Sequence, residues 1–307
     1  MTSAMANATR REFLAAAAAA PLAARSRLDR ISLAAWSLNR SFRNGKWKNV
    51  DLPRICREEL GVDGLEFVNT FFEVPTQRNL DELRRAGGDH DVQFVLIMID
   101  QEGDMAAEDA AERRRAAVAH RKWVDIANFL GCHAVRCNLG GPRESWNGQE
   151  RQIVDRAAES FQNLLDYSEE SGLNILIENH GRASSDPEVL VALMKQVDHP
   201  RFGTLPDFGN VNTGDSHAEV LRRLMPFAKG VSVKSQWTLD GEHPRYDLAE
   251  LLRIAKDSGY SGWWGIESGF RAPDGQDSRE MDADAVWQAE LRAAKLTKQA
   301  IEKTILS

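Results

Sequence analysis

Eight short apolar runs, separated by longer amphipathic stretches, restrict this chain more than any other feature does. They are "RISLAAW" from Arg30, "DGLEFVN" from Asp63, "QFVLIMI" from Gln93, "CHAVRCN" from Cys132, "LNILIEN" from Leu173, "FGTLPDFGN" from Phe202, "GVSVKSQ" from Gly230 and "GWWGIES" from Gly262. Runs of this length and apolarity read as strands buried on both faces. The stretches between them carry helix signals. "AEDAAERRRAAVAHRKWVDIANFLG" closes on Gly131, and "SDPEVLVALMKQV" offers Ser185 or Asp186 as N-cap with Pro187 at the first helical position. Alternation of this kind demands parallel strands with crossover helices. Eight units, recurring at roughly 30 residues, predict a (β/α)8 TIM barrel over residues 28–307, a single domain with a C-terminal helix. A doubly wound open sheet would use the same units, but no Gly-rich phosphate loop follows the first run to support it.

Composition narrows the function. Of 307 residues, 42% are hydrophobic, enough for a large core, and the net charge of −7 leaves no basic surface to track nucleic acid. Three Cys are present, and Cys132 and Cys137 lie in one expected strand at an odd spacing that points them to opposite faces, so no disulfide is expected. At the N-terminus, "TRREFLAAAAAAPLAARS" sets Arg10 and Arg11 before an Ala-rich stretch too short to span a bilayer of ~30 Å. Residues 1–24 are therefore expected to be a twin-arginine-type export segment. The mature chain is expected in the periplasm or outside the cell, with no integral membrane segment. Oligomerisation is left open.

In a barrel of this type the active site lies at the C-terminal ends of the strands, and those ends are where the polar residues fall. Strand two ends in Glu66 and Asn69, and strand four in Arg136 and Asn138. Strand five ends in Glu178 and His180, and strand six in Asp207 and Asn210. Strand seven ends in Lys234 and Gln236, and strand eight in Glu267. The opposite ends carry turn residues such as Gly61 and Gly172.

"ILIENHG", residues 175–181, condenses the pattern: an apolar run passes directly into a carboxylate, an amide and an imidazole. Side chains alternate along a strand, so Glu178 and His180 share the face of Leu176, while Asn179 turns toward the neighbouring strand or the helix layer and ties down the loop. If Glu178, Asp207 and Glu267 converge to ~5 Å, each pair repels by roughly 3 kcal/mol at an effective dielectric near 20. Such a set needs a cation or shared protons. A divalent metal is the simpler solution, and oxygen ligands favour Mn2+ or Mg2+ over Zn2+.

These residues resemble the xylose isomerase-like barrels, a superfamily of sugar phosphate isomerases and epimerases that also includes endonuclease IV. "ILIENHGRASSDPEVL", "FGTLPDFGN" and "LLRIAKDSGYSGWWGIESG" carry the resemblance. It implies one divalent metal held by Glu178, Asp207 and Glu267, with a further ligand from strand seven, and the two glutamates flanking a sugar as acid and base. The chain departs from the family pattern twice. Asn210 stands where many members have a substrate-binding His, and Ser232-Val233-Lys234 stands where many have His-x-Lys. The expected strand-seven imidazole is absent, which leaves His180, Gln236 or water to complete the coordination, or leaves the metal weakly held or missing.

The implied activity is a metal-dependent sugar isomerase or epimerase acting by proton transfer next to a carbonyl of a free or glycosidic keto-sugar. Lys234 could stabilise the developing oxyanion, or protonate a leaving hydroxyl, which would make the enzyme a lyase or hydratase of 3-keto-glycosides. A non-catalytic sugar-binding barrel is the other alternative. An abasic-site nuclease would need several metals, many His ligands and a basic groove, against seven His and a charge of −7 here. For a small carbohydrate the candidate contacts are His180, Asn210, Arg136 and Asn138, together with Trp36, Trp146 and Trp237, whose indoles suit stacking on sugar rings. His180 could equally be a base or a ligand, and Arg136 an internal counter-ion.

Overall fold

Eight strands form where the apolar runs lie: β1 Ile31–Ala34, β2 Gly64–Val68, β3 Gln93–Ile99, β4 Ala134–Cys137, β5 Asn174–Glu178, β6 Phe202–Leu205, β7 Val231–Thr238 and β8 Trp264–Arg271. The structure is a computed structural model and describes residues 30–141, 148–211, 214–272 and 281–306. Residues 1–24, where an export segment is expected, and Trp146 lie outside the described residues.

All strand pairs are parallel, in the order β6-β5-β4-β3-β2-β1-β8-β7. Parallel bridges at Thr204–Ala228 and Asp207–Ser232 join β6 to β7. The Phe208 amide donates to Ser232 O at 3.1 Å and the Ser232 amide to Pro206 O at 2.9 Å, so the ring is closed. This is a (β/α)8 TIM barrel.

Among the described residues six crossovers carry a long helix, α1 Gln77–Asp89, α2 Ala110–Leu130, α3 Glu150–Tyr167, α4 Pro187–Val197, α5 His217–Leu224 and α6 Leu248–Asp257, and α7 Ala283–Ile301 follows β8. The caps are those the sequence announces. Asp186 Oδ1 accepts from the Glu188 amide at the start of α4, and Gly131, with φ of 81°, ends α2 in the left-handed conformation. Between β1 and β2 the path is instead built from short turns, Asn39–Arg43 and Leu52–Arg54, running into a π-helical segment Ile55–Leu60.

Partners in parallel register share a face, which sorts the strands into barrel-facing and helix-facing residues. Met98, Arg136 and Leu176 are register partners, as are Lys234 and Glu267, and all point inward. Leu33, Leu65, Ile97, Val135, Ile177, Val233 and Ile266 are fully buried under the helices and form the larger core. The barrel floor needs glycine at Gly64, because a Cβ there would lie 2.4 Å from the Trp263 ring. Cys56, Cys132 and Cys137 are buried free thiols. No described helix is long and apolar enough to cross a membrane.

Candidate active site

Two asparagines set the geometry of the mouth. Beyond the end of β5, Asn179 donates Nδ2 to Asp207 O at 2.9 Å and to Asn210 O at 3.0 Å, while its Oδ1 accepts from the Asp207 amide at 2.7 Å. Asn69, beyond the end of β2, does the same to Asp100, with Nδ2 to Asp100 O at 2.9 Å and the Asp100 amide to Oδ1 at 2.8 Å. In each case a side-chain amide continues the sheet pairing past its last residue and fixes an aspartate on the next strand.

Each of these aspartates is engaged by an inward-pointing cation. Asp100 Oδ1 accepts from Arg136 Nη1 and from Asn138 Nδ2, both at 2.8 Å. The Arg136 Nε lies 2.9 Å from Glu178 Oε2 as an ion pair, although not aligned as a hydrogen bond. Lys234 Nζ donates to Glu267 Oε1 at 2.5 Å and to Asp207 Oδ2 at 3.3 Å. Ser232 Oγ, fully buried, is 3.0 Å from both Asp207 Oδ2 and Glu267 Oε2, and its single proton serves one carboxylate at a time. The Gly209 and Asn210 amides donate to Asp207 Oδ1 at 2.8 Å each, and Asn210 Nδ2 donates to Glu178 Oε1 at 3.1 Å.

This environment separates the two glutamates. Burial, with the like charges of Glu267 and Asp207, pushes the Glu178 carboxyl well above the usual range despite the pull of Arg136 and Lys234. Burial also works against Glu267, but the Lys234 charge and hydrogen bond outweigh it and hold that carboxyl below the usual range. For Lys234, burial is outweighed by Asp207, Glu267 and Glu178, which raise its pKa and keep the ammonium charged. Two carboxyls driven in opposite directions at one site have the electrostatics an acid and a base need.

Below this layer Glu66 is buried against Gly265, where a Cβ would lie 2.5 Å from Glu66 Oε1. Burial pushes the Glu66 carboxyl up to about 7, partly offset by the Ser32 hydroxyl, which donates at 2.5 Å.

The remaining expected contacts divide. His180 is exposed at the mouth, where desolvation, Arg136 and Lys234 lower its pKa, and it falls outside the acidic grouping formed by Glu178, Asp207 and Glu267. Gln236 is half-buried one step further out than Lys234 on the same face of β7. Arg136 is the internal counter-ion of its two readings, since Asp100, Asn138 and Glu178 take its nitrogens. Asn138 and Asn210 are likewise committed to Asp100 and Glu178. Trp36 stacks on Phe71 with ring centroids 5.5 Å apart and stays half-buried after β1. Trp237 is corrected: it occupies an odd position on β7, faces α7, and donates Nε1 to Thr297 Oγ1 at 2.9 Å, so it packs rather than faces the mouth.

Sequence reasoning passed over Asp100, Gly209 and Tyr246. Tyr246 Oη donates to Lys234 O at 2.5 Å and forms an aromatic cluster with His217 and His243. Asp100 sits one residue past the third apolar run, where the strand-end logic would have found it.

Glu178, Asp207 and Glu267 each present an oxygen within 4.8 Å of the others, a buried acidic set of a kind that could hold a metal ion. As the side chains stand, the set does not fit a resident ion. Five of the six carboxylate oxygens accept from the chain's own donors, and the sixth, Glu178 Oε2, faces Arg136. The strand-seven position beneath them offers a hydroxyl in place of an imidazole, and His180 is not part of the acidic grouping.

A closed eight-stranded barrel with an acid/base carboxylate cluster at its C-terminal mouth belongs to a recognised class of TIM barrels. The family model for the xylose isomerase-like TIM barrel matches residues 57–295, and the chain belongs to that family. An uncharacterized protein of Methanocaldococcus jannaschii, MJ1311, is 23% identical over 222 residues, 68% of this chain and 76% of that one. The IOLI protein with a bound zinc atom superposes with a TM-score of 0.70 at 15% identity, covering 90% of this chain and 99% of that one. The 3-keto-D-glucoside 4-epimerase YcjR from E. coli gives 0.64 at 14% identity, covering 82% and 94%. These superpositions agree with the barrel fold.

Proposed function

We propose that the chain is an enzyme that isomerises or epimerises a free or glycosidic keto-sugar by moving a proton at the carbon next to a carbonyl. One observation carries this reading: Glu178 and Glu267 face the same mouth, with Glu178 driven toward its neutral form and Glu267 toward its anion. Glu267 is the base. Glu178 is the acid: burial drives its carboxyl toward the protonated form, between Asn210 Nδ2 at Oε1 and Arg136 Nε at Oε2. The Lys234 ammonium faces the carbonyl oxygen, where negative charge develops as the proton leaves, and stabilises the enolate-like transition state without reorganising. His180 at the mouth contacts a sugar hydroxyl, and Trp36 offers an indole to the ring. The likeness to a 3-keto-D-glucoside 4-epimerase supports a keto-sugar substrate.

A second reading on the same class of substrate is a lyase or hydratase acting on 3-keto-glycosides, in which Lys234, beside Glu267, protonates the leaving oxygen after Glu267 has taken the proton. The twin-arginine-type segment at 1–24 supports a site of action in the periplasm or outside the cell, where free and glycosidic sugars are the available substrates.

NMR in deuterated water separates the readings on a panel of ketohexoses and 3-keto-glucosides. Deuterium entering next to the carbonyl with an epimer or isomer as product supports the first, and an unsaturated or cleaved sugar the second. Ligand-induced stabilisation with no exchange on any sugar of the panel would reject both in favour of a binding barrel.

A further inference from the structure

We infer that Lys234 is the resident cation of this site: its ammonium supplies the charge that a divalent ion would bring to Asp207 and Glu267, and the chain works without a bound metal. The first support is position. Nζ lies between the carboxylates of β6 and β8, 3.3 Å from Asp207 Oδ2 and 2.5 Å from Glu267 Oε1. Lys234 and Glu267 are register partners on adjacent strands, so the pair is built into the sheet.

The second support is a cradle shaped for the lysine stem. A Cβ on Gly209 would lie 3.0 Å from Lys234 Cδ, 3.2 Å from Cγ and 2.9 Å from Tyr246 Oη, so the absence of a side chain there makes the room. Tyr246 Oη then holds the Lys234 carbonyl at 2.5 Å and fixes the backbone from which the stem departs.

The third support is the donor set around the acids. Ser232 bridges Asp207 and Glu267 at 3.0 Å each, which replaces a ligand with a hydrogen-bond donor, and Arg136 Nε stands 2.9 Å from Glu178 Oε2. A hydroxyl proton and two organic cations satisfy carboxylates at hydrogen-bond lengths, whereas Mg2+ requires bare oxygens at ~2.1 Å. An entering ion would have to expel Lys234 and meet its positive charge nearby. The inference does not depend on which sugar reaction the site performs.

The test reads metal content and thermal stability, which keeps it distinct from failure of the proposed reaction. Wild-type protein, Lys234→Ala and the near-isosteric Lys234→Met are purified and treated with EDTA. Each is then assayed by elemental analysis and by thermal melting with and without Mn2+, Mg2+ or Zn2+. The wild type is expected to carry substoichiometric metal as purified, and its Tm is expected to ignore both EDTA and added ions. Removal of the ammonium opens the acidic set, so Lys234→Ala gains a metal-dependent rise in Tm of roughly 5 °C once the ion is ~100-fold above its Kd. Lys234→Met serves in its place if the alanine variant does not fold. One equivalent of ion in the wild type, or a wild-type Tm raised by Mn2+ as much as that of the variant, would overturn the inference. Folded variants indifferent to all three ions would overturn it too.

Discussion

Glu66 shows how much one carboxyl can govern when it is sealed beneath an active site. Its pKa is raised to about 7, so the folded chain keeps a proton there that the unfolded chain loses near pH 4.5. The unfolded state therefore binds fewer protons between those values, and stability falls as pH rises through that window. Glu66→Gln removes the dependence: the variant should match the wild type at pH 4 and exceed it by roughly 3 kcal/mol at pH 8, measured by urea unfolding. Gly265→Ala should cost about 3 kcal/mol at either pH, because the new methyl meets the Glu66 carboxyl. At this scale the sequence was only partly legible. Strand-end position picked out Glu66, Glu178, Asp207, Glu267 and Lys234, since polar groups in an apolar run stand out whatever the fold. It did not reveal that Lys234 Nζ lies 2.5 Å from Glu267 Oε1, because contacts across a barrel depend on closure and register. Trp237 was expected past a strand ending at Gln236; β7 runs on to Thr238, and alternation then gives Trp237 the opposite parity to Lys234.

Among the elements, the two asparagine clasps do the positioning. Asn179 makes three hydrogen bonds, two of them fully buried, from beyond β5 to the segment after β6, and Asn69 makes two from beyond β2 to Asp100 after β3. Both Asn179→Ala and Asn69→Ala should lose about 2–4 kcal/mol in chemical denaturation, since each leaves backbone groups of the next strand unpaired. Their kinetics should differ. Asn179→Ala releases Asp207 and with it one partner of Lys234, and should lower kcat by at least ~10-fold, whereas Asn69→Ala acts only through Asp100 and Arg136. The elements themselves were easy to read: eight apolar runs became eight strands, and Asp186, Pro187 and Gly131 took the expected cap positions. The first crossover was not, because Asn39–Leu60 mixes short and π-helical turns with no sustained period.

For the whole molecule, the closed barrel collects residues from β4 to β8 into one charged mouth and gives that mouth its own cations. Parallel strands with crossover helices left few other arrangements, which is why the fold could be read from spacing. The expectation of Mn2+ or Mg2+ rested on three carboxylates needing a positive charge and on the family resemblance; the buried set could hold an ion, and by the inference drawn above Lys234 supplies that charge in its place. Proton transfer next to a carbonyl, by Glu267 and Glu178 with Lys234 as the fixed cation, is the central claim. Deuterium exchange at that carbon, followed by NMR on ketohexoses and 3-keto-glucosides with chelator-treated protein, tests it most directly. The account predicts exchange at a rate unchanged by EDTA, and a loss of at least ~100-fold in both Glu267→Gln and Lys234→Met. Exchange that appears only after Mn2+ or Mg2+ is added, or that survives in Glu267→Gln, would contradict it.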